Sequence, residues 1–293
     1  MNPKSGDHPT PPGPVAGPGV LYLVATPIGN LEDITFRAVR VLQQADLIAC
    51  EDTRHSRALL DRYQIRRPTL SYHRLNEAER AAGLIERLRA GAGVALITDA
   101  GAPVLSDPGA RLVARALEAG IPVVPIPGPS AAITALMAAG IEEPVTLLGF
   151  LPARSGERRR LLQQWAAVPG SLLMFETPHR IAAALADMED LLGPARTLVC
   201  AREMTKLHEE FLRGTIAEVR ARIDAVVPRG EFTLVLGPVP RRSPSAPGAE
   251  SAPAPELDPD MSMADLKRLA RESGLGRREL YRRLQQLRGK IKS

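Results

Sequence analysis

"VALITDAGAPVLSDPGARL", residues 94–112, is the stretch on which the reading of the chain turns. An apolar run ends at Thr98 and Asp99, passes through Gly101, Ala102 and Pro103, and reaches a second carboxylate, Asp107, just before Pro108 and Gly109. The unbroken apolar run reads as a buried strand, and the residues after it as a corner leading into a helix. Turn chemistry accounts for the corner, since Asp, Gly and Pro are turn formers. A ligand site accounts for it equally, because open α/β sheets bind small molecules beyond the C-terminal ends of their strands.

Working outward, short apolar runs recur: residues 20–26, 47–50, 94–98, 122–126, 146–150, 171–175, 197–201 and 231–237 read as strands. Helical patterns lie between several of them, as at 77–90 and 178–192. This alternation predicts α/β layering with largely parallel strands. At 293 residues the chain has room for two such domains. The expected division is a disordered tail at 1–19 with six prolines, α/β domains at 20–125 and 126–237, a linker at 238–260 with seven prolines, and a helical module at 261–293. "VPIPGPS" (124–130) reads as the hinge between the two halves.

Charge is unevenly placed. The net +5 conceals a neutral main body, whereas residues 261–293 hold ten Lys and Arg against three acids. A basic module of this kind points to a polyanionic partner. Within it Ser262 and Asp265 suit a helix cap, and Leu280, Leu284 and Leu287 form a stripe with Arg278, Arg282 and Arg283 off it. Cys50 and Cys200 each end an apolar run and read as core thiols, which fits a reducing cytoplasm. No metal framework is expected. Residues 119–141 lack charge but contain four prolines plus Gly120 and Gly128, so no spanning helix is expected there.

Polar clusters follow the strands. "VATPIGNLEDIT" (24–35) makes a tight corner in which Gly29 allows close approach to backbone, with a helix expected to start at Asp33. It is not a GxGxxG dinucleotide fingerprint. "ACEDTRHSRALL" (49–60) crowds Glu51, Asp52, Arg54, His55 and Arg57 at a strand end. "SYHRLNEAER" (71–80) adds His73 and Asn76, and "PIPGPSAAITAL" (125–136) places Ser130 at a helix start whose amides suit a ligand. "MFETPHRI" (174–181) and "AREMTKLHEEFLRG" (201–214) repeat the design in the second half.

Together these segments, with "GFLP" (149–152) and "SGERR" (155–159), resemble in order and spacing the small-subunit ribosomal RNA methyltransferase I family, 16S rRNA cytidine 2′-O-methyltransferases of the tetrapyrrole-methylase superfamily. The resemblance runs through residues 20–237. It implies two class III methyltransferase α/β domains with S-adenosylmethionine in the cleft between them, a homodimer, a cytoplasmic location and 16S rRNA in the small subunit as partner. It further implies a donor site lined by Pro27, Gly29, Asp99, Ala100, Gly101, Ala102, Val104, Ser130 and Ala131. Asn30, Glu51, Arg54, Asn76, Glu176, His179, Arg180 and Arg202 are the expected substrate contacts. Ala102 stands where relatives often carry Thr, and Ala110 where they often carry Tyr. Asp107 is expected to fix its loop or cap the next helix. Asp52, His73 and Lys206 are candidates for assisting the hydroxyl, in a reaction where alignment outweighs base catalysis. A tetrapyrrole or protein side-chain methyltransferase and a non-catalytic RNA-binding assembly factor are the competing readings.

Overall fold

Ten strands and nine α-helices are ordered along the described part of the chain. The structure is a computed structural model describing residues 19–104, 106–225, 228–239, 257–258, 261–273, 280–282 and 284–285. The expected tail at 1–19 (Gly19 excepted), most of the linker at 238–260, and Arg278, Arg283 and Leu287 lie outside the described residues. The chain divides into two units, Met1–Pro240 and Arg241–Ser293.

The first sheet is wholly parallel. Its strands are β1 (Leu21–Val24), β2 (Leu47–Cys50), β3 (Thr69–Ser71), β4 (Val94–Ile97) and β5 (Val123–Ile126), in the order β3-β2-β4-β1-β5. Strand side chains alternate between faces, which sorts the core into two clusters. Leu21, Leu47, Val94 and Leu96 pack on one face with Leu84 and Leu88 of α3 (Glu77–Arg89) and Leu112 of α4 (Ala110–Glu118). Tyr22, Ile48, Ala95 and Ile97 pack on the other with Val41 and Leu42 of α1 (Phe36–Gln44) and Leu60 of α2 (Thr53–Arg62). Both faces are covered, so "LIAC" and "VALI" are buried along their whole length.

The second sheet contains β6 (Val145–Phe150), β7 (Ser171–Glu176), β8 (Thr197–Arg202), β9 (Glu210–Thr215) and β10 (Phe232–Leu236), in the order β6-β7-β10-β8-β9. Here the expectation of largely parallel strands fails: only β6 and β7 pair in parallel, and β10 and β9 pair antiparallel with their neighbours. Residues 203–209 are too short a link between β8 and β9 for the crossover a parallel pair needs. β10 then fills the slot between β7 and β8. Strands β3 and β9 were not among those read from the sequence, because "TLS" is too short and "EFLRGT" too polar to stand out.

One face of this sheet carries α6 (Ser155–Trp165), α7 (Ile181–Leu192) and α8 (Ile216–Asp224), through Leu162, Ile181, Leu185, Met188, Val219 and Ile223. The opposite face carries α5 (Ala131–Ala139), where Ala132 and Ala135 meet Leu173, Ala201 and Val235. Ile28, from the corner after β1, joins that same cluster with Met204, so the two sheets share a core along this seam. The second unit contains α9 (Met263–Ser273); Ser262 Oγ accepts the Asp265 amide at 3.2 Å, and Leu266 buries with Leu280 and Leu284.

Several local expectations are corrected. The helix expected from Asp33 is a 3₁₀ turn over Leu31–Asp33 capped by Asn30, and α1 starts later behind Thr35, whose Oγ1 accepts the Ala38 amide. Asp107 does not cap α4, which begins behind Gly109 with no side-chain cap. Ser130 occupies the N-cap position of α5 without a capping hydrogen bond, leaving the first amides of that helix uncapped by it.

Between α6 and α7, buried Arg158 pairs with Asp187 at 2.6 Å, and Arg159 adds a contact to Asp187 at 3.1 Å. Burial alone would raise the Asp187 carboxyl, but hydrogen bonds from Arg159, Arg158 and Ser155 hold it below its ordinary value. Asp187→Ala strands a buried guanidinium and is expected to cost about 3–5 kcal/mol in urea unfolding. Asp190→Ala, which removes only the exposed partner of Arg159, is expected to cost less than about 1 kcal/mol.

Candidate active site

The strand ends of both sheets converge on a cavity of about 300 Å³, within the size range of small-molecule sites. Its wall from the first sheet is mostly backbone and small side chains: Ala100, Gly101 and Ala102 after β4, and Ser130 and Ala131 at the start of α5. That wall is held by a two-way bridge between the extensions of β1 and β4. Thr26 N–H donates to Gly101 O at 2.9 Å, Gly101 N–H donates to Thr26 O at 3.0 Å, and Thr26 Oγ1 donates to Thr98 O at 3.0 Å. The bend needs Gly101 at φ +79°, a conformation that disfavours a β-carbon.

The first half of the chain brings three carboxylates to the cavity: Glu51 after β2, Asp99 after β4, and Asp107 further along the same loop. Burial pushes Glu51 up, and the neighbouring Asp99 adds to it. Burial, joined by Glu51 and Asp99 and opposed by Arg74, likewise pushes Asp107 up to about 6. Arg74 donates to Ser106 O at 2.6 Å and so ties the loop after β3 to the Asp107 loop. Asp99 Oδ1 accepts the Asp52 amide at 3.2 Å.

The second sheet contributes Phe150, Phe175, Glu176, Met204, Phe232 and Thr233. Glu176, at the end of β7, is 1% exposed. Its Oε1 accepts the Thr177 amide at 2.7 Å and pairs with Arg180 at 2.7 Å, while buried Oε2 has no hydrogen-bond partner. Phe150 and Phe175 lie 5.5 Å apart, tilted by 51°, with Phe150 half-exposed.

Of the expected donor residues, Asp99, Ala100, Gly101, Ala102, Ser130 and Ala131 line the cavity, whereas Pro27, Gly29 and Val104 do not. Gly29 is small for a different reason: a β-carbon there would fall 2.5 Å from Lys206 Cγ and 2.8 Å from the Met204 carbonyl. Val104 takes φ +79°, unusual for a branched residue, and packs beside Gly109. Among the expected substrate contacts only Glu51 and Glu176 line the cavity. Asn30 caps the 3₁₀ turn, and Asn76 is held by the His73 amide and the Ser71 carbonyl. Arg180 acts through Glu176, Arg202 pairs with Glu210 at 3.4 Å, and Arg54 and His179 are exposed.

Each of the three candidates for a base is engaged by other groups in this structure. Asp52 is exposed and spends its carboxylate on the Arg54 and His55 amides at the start of α2, which hold it below its ordinary value. His73 shares a contact with Asn76 at 3.2 Å and does not line the cavity. Burial alone would lower Lys206, but Glu203 at 2.9 Å and Glu231 at 3.2 Å outweigh it and keep the ammonium protonated. Asp107, expected to have only a loop role, stands in the cavity instead. Phe232 and Thr233 escaped notice because they open their strand, and only its reversed direction brings that end to the site. Among the described residues no group of three or more His, Cys, Asp or Glu could hold a metal ion, and no helix is long and apolar enough to cross a membrane.

The tetrapyrrole (corrin/porphyrin) methylase family model matches residues 20–220. Two solved structures share the fold: diphthine synthase, at TM-score 0.59 and 14% identity over 74% of this chain and 90% of that one, and uroporphyrin-III C-methyltransferase from Thermus thermophilus complexed with S-adenyl homocysteine, at TM-score 0.52 and 23% identity over 75% and 97%. Among curated relatives, ribosomal RNA small subunit methyltransferase I from Synechocystis sp. is 45% identical over 270 residues, covering 90% of this chain and 96% of the relative. Its counterpart from Haemophilus influenzae is 48% identical over 226 residues, covering 76% and 80%. The chain belongs to the tetrapyrrole methylase family and, within it, to the ribosomal RNA small subunit methyltransferase I group. It is a methyltransferase.

The carboxylate cluster has a stability consequence. As pH rises from the ordinary carboxyl range through about 6, the unfolded chain releases the Asp107 proton before the folded chain does, so the fold loses stability over that window. Asp107→Asn is therefore expected to raise the melting temperature at pH 7.5 and to leave it nearly unchanged at pH 4, as read by calorimetry.

Proposed function

We propose that the chain transfers the methyl group of S-adenosylmethionine to the ribose 2′-oxygen of a cytidine in 16S rRNA of the small ribosomal subunit. The observation that carries the reading is a wall of bare main chain at residues 100–102, rimmed by Glu51, Asp99 and Asp107, in a chain this similar to small-subunit rRNA methyltransferases. The residues fit a cationic adenosyl donor. Ala100, Gly101 and Ala102 let it approach the backbone, Asp99 suits its ammonium or hydroxyls, and the amides opening α5 suit its carboxylate.

The bound donor supplies a methyl group on positive sulfur, already a good leaving arrangement. The protein's main task is then alignment, which is worth ~7–11 kcal/mol. Both walls of the cavity serve it, through the bridged loop on one side and the ends of β7 and β8 on the other. Asp107 is the proton acceptor for the 2′-hydroxyl: it lines the cavity, has no hydrogen-bond partner among the described residues, and is ionised at neutral pH. Arg74 and Ser106 hold its loop in place. A positioned base adds about 10²–10⁴-fold.

Isolated small subunits incubated with methyl-labelled donor are expected to gain one ribose methyl, located on a cytidine by mass mapping. Label on protein, or no transfer, overturns the reading. Single-turnover rates are expected to fall about tenfold per pH unit below pH 6, since protonated Asp107 no longer accepts the proton. Asp107→Asn is expected to lose that limb along with most of the rate; an unchanged profile removes Asp107 from the role.

The basic module at 261–293 is assigned to rRNA phosphates, where its net +7 gives binding that weakens steeply with salt. Deleting residues 241–293 is expected to weaken subunit binding in filter assays and flatten its salt dependence while leaving donor affinity intact. The reading includes a homodimer, and α5 offers Ile133 and Met137 as exposed apolar side chains for a second copy. It also includes a cytoplasmic location, in keeping with Cys50 and Cys200 as buried free thiols.

A further inference from the structure

Asp107 stands among acids. Glu51 and Asp99 share its wall, and Glu176 and Glu231 border the same cavity from the second sheet. The last two have cations of their own: Arg180 pairs with Glu176 at 2.7 Å and Lys206 with Glu231 at 3.2 Å. The cation that faces Asp107 is Arg74, from the loop between β3 and α3, and it faces Glu51 too, where His73 adds a smaller effect. Arg74 Nη2 donates at 2.6 Å to Ser106 O, the carbonyl immediately before Asp107. That bond fixes the far end of a long, exposed side chain, so its charge is held at one place on the loop. The loop itself is firmly seated. Pro108 and Gly109 are buried, and a β-carbon on Gly109 would fall 2.7 Å from Leu96 Cδ2 on β4. Val104 and Ser106 take φ of +79° and +70°, conformations that persist only where the surroundings impose them.

We infer that Arg74 is a positioning residue for methyl transfer: anchored on the Ser106 carbonyl, its guanidinium stabilises the ionised carboxylate of Asp107 against the acids around it. This rests on the methyl-transfer reading above and adds to it the group that keeps the proton acceptor ready. A carboxylate crowded by Glu51 and Asp99 is driven to take up a proton, and a protonated Asp107 accepts nothing from a 2′-hydroxyl. A fixed positive charge shifts that balance back by Coulomb attraction. Arg74 does not line the cavity, so its influence reaches the reaction through Asp107. Because the loop is also seated on β4, removing the guanidinium takes away the charge and leaves Asp107 in the cavity.

The test is the pH profile of single-turnover transfer to isolated small subunits, with subunit and methyl donor saturating. Without its cation Asp107 holds its proton to higher pH, so the acid limb moves upward. Arg74→Ala is expected to raise the midpoint by about half a pH unit or more, to lose about threefold or more in rate at pH 5, and to regain the wild-type rate by about pH 9. Arg74→Lys keeps the charge and is expected to hold its limb closer to the wild-type midpoint than to that of Arg74→Ala. The donor Kd is expected to be unchanged in both. Thermal melting supplies a readout free of RNA: the gain in melting temperature from Asp107→Asn at pH 7.5 is expected to be larger in the Arg74→Ala background than in wild type. An Arg74→Ala limb at the wild-type midpoint, a raised KM for the subunit with the limb unmoved, or an equal gain from Asp107→Asn in both backgrounds makes Arg74 a surface or phosphate contact and overturns the inference alone. A limb that survives Asp107→Asn removes Asp107 as the acceptor, and a wild-type protein inert on the subunit overturns the methyl-transfer reading; either takes the inference with it.

Discussion

The paired hydrogen bonds between Thr26 and Gly101 are the constraint on which the site depends. Parallel strands β1 and β4 end side by side, and without a link their extensions would be free to splay apart. The bridge reverses the local pairing sense from parallel to antiparallel, which is possible because Gly101 adopts positive φ. Thr26 is almost fully buried, and its hydroxyl adds a bond to Thr98 O, so the corner has little room to relax. One consequence is that Ala100, Gly101 and Ala102 offer main chain to the cavity. Another is that Asp99 is fixed close to Glu51 and Asp107, where its charge adds to the proton affinity of both.

Each half of the molecule contributes a different kind of wall. The first sheet is buried on both faces, so its polar functions are confined to loops beyond its strand ends, and those loops supply carboxylates and backbone. The second sheet has α5 on one face and lends aromatic and apolar surface: Phe150, Phe175, Met204 and Phe232. Ile28 crosses from the first wall into the core of the second, which couples the position of the β1 corner to the packing of α5. Glu176 and Glu231 line that second wall as well, so acidic residues border the cavity from both halves.

Much of this was legible in the sequence because buried parallel strands write themselves as apolar runs. Residues 47–50 and 94–97 are unmistakable, and the small residues after Asp99 mark a backbone wall. Other features rest on relations no single segment carries. Whether Asp107 caps a helix or enters a cavity depends on where Glu51 lies, in a different loop. Lys206 looks like a base until Glu203 and Glu231 are seen around its ammonium, the second of them 25 residues away. Gly29 reads as room for a ligand but is room for Met204 and Lys206. His73 and Asn76 hold each other, a local pairing that spacing alone does not distinguish from a ligand contact.

The direction of β10 is the clearest case of information that spacing cannot hold. Read as another parallel strand, it would bring Gly237 toward the cavity and remove Phe232 and Thr233 from it. Inserted antiparallel between β7 and β8, it places its first residues beside the last residues of both neighbours, with Phe232 opposite Glu176 and Arg202 in register. The buried carboxylate at the end of β7 therefore sits against an aromatic residue from a strand more than fifty positions later. Oε2 is out of reach of water and, among the described residues, without a hydrogen-bond partner, so the end of β7 carries a buried carboxylate paired only through its other oxygen. The reversed strand, and not the polar residues of the β7 loop alone, sets what surrounds Glu176.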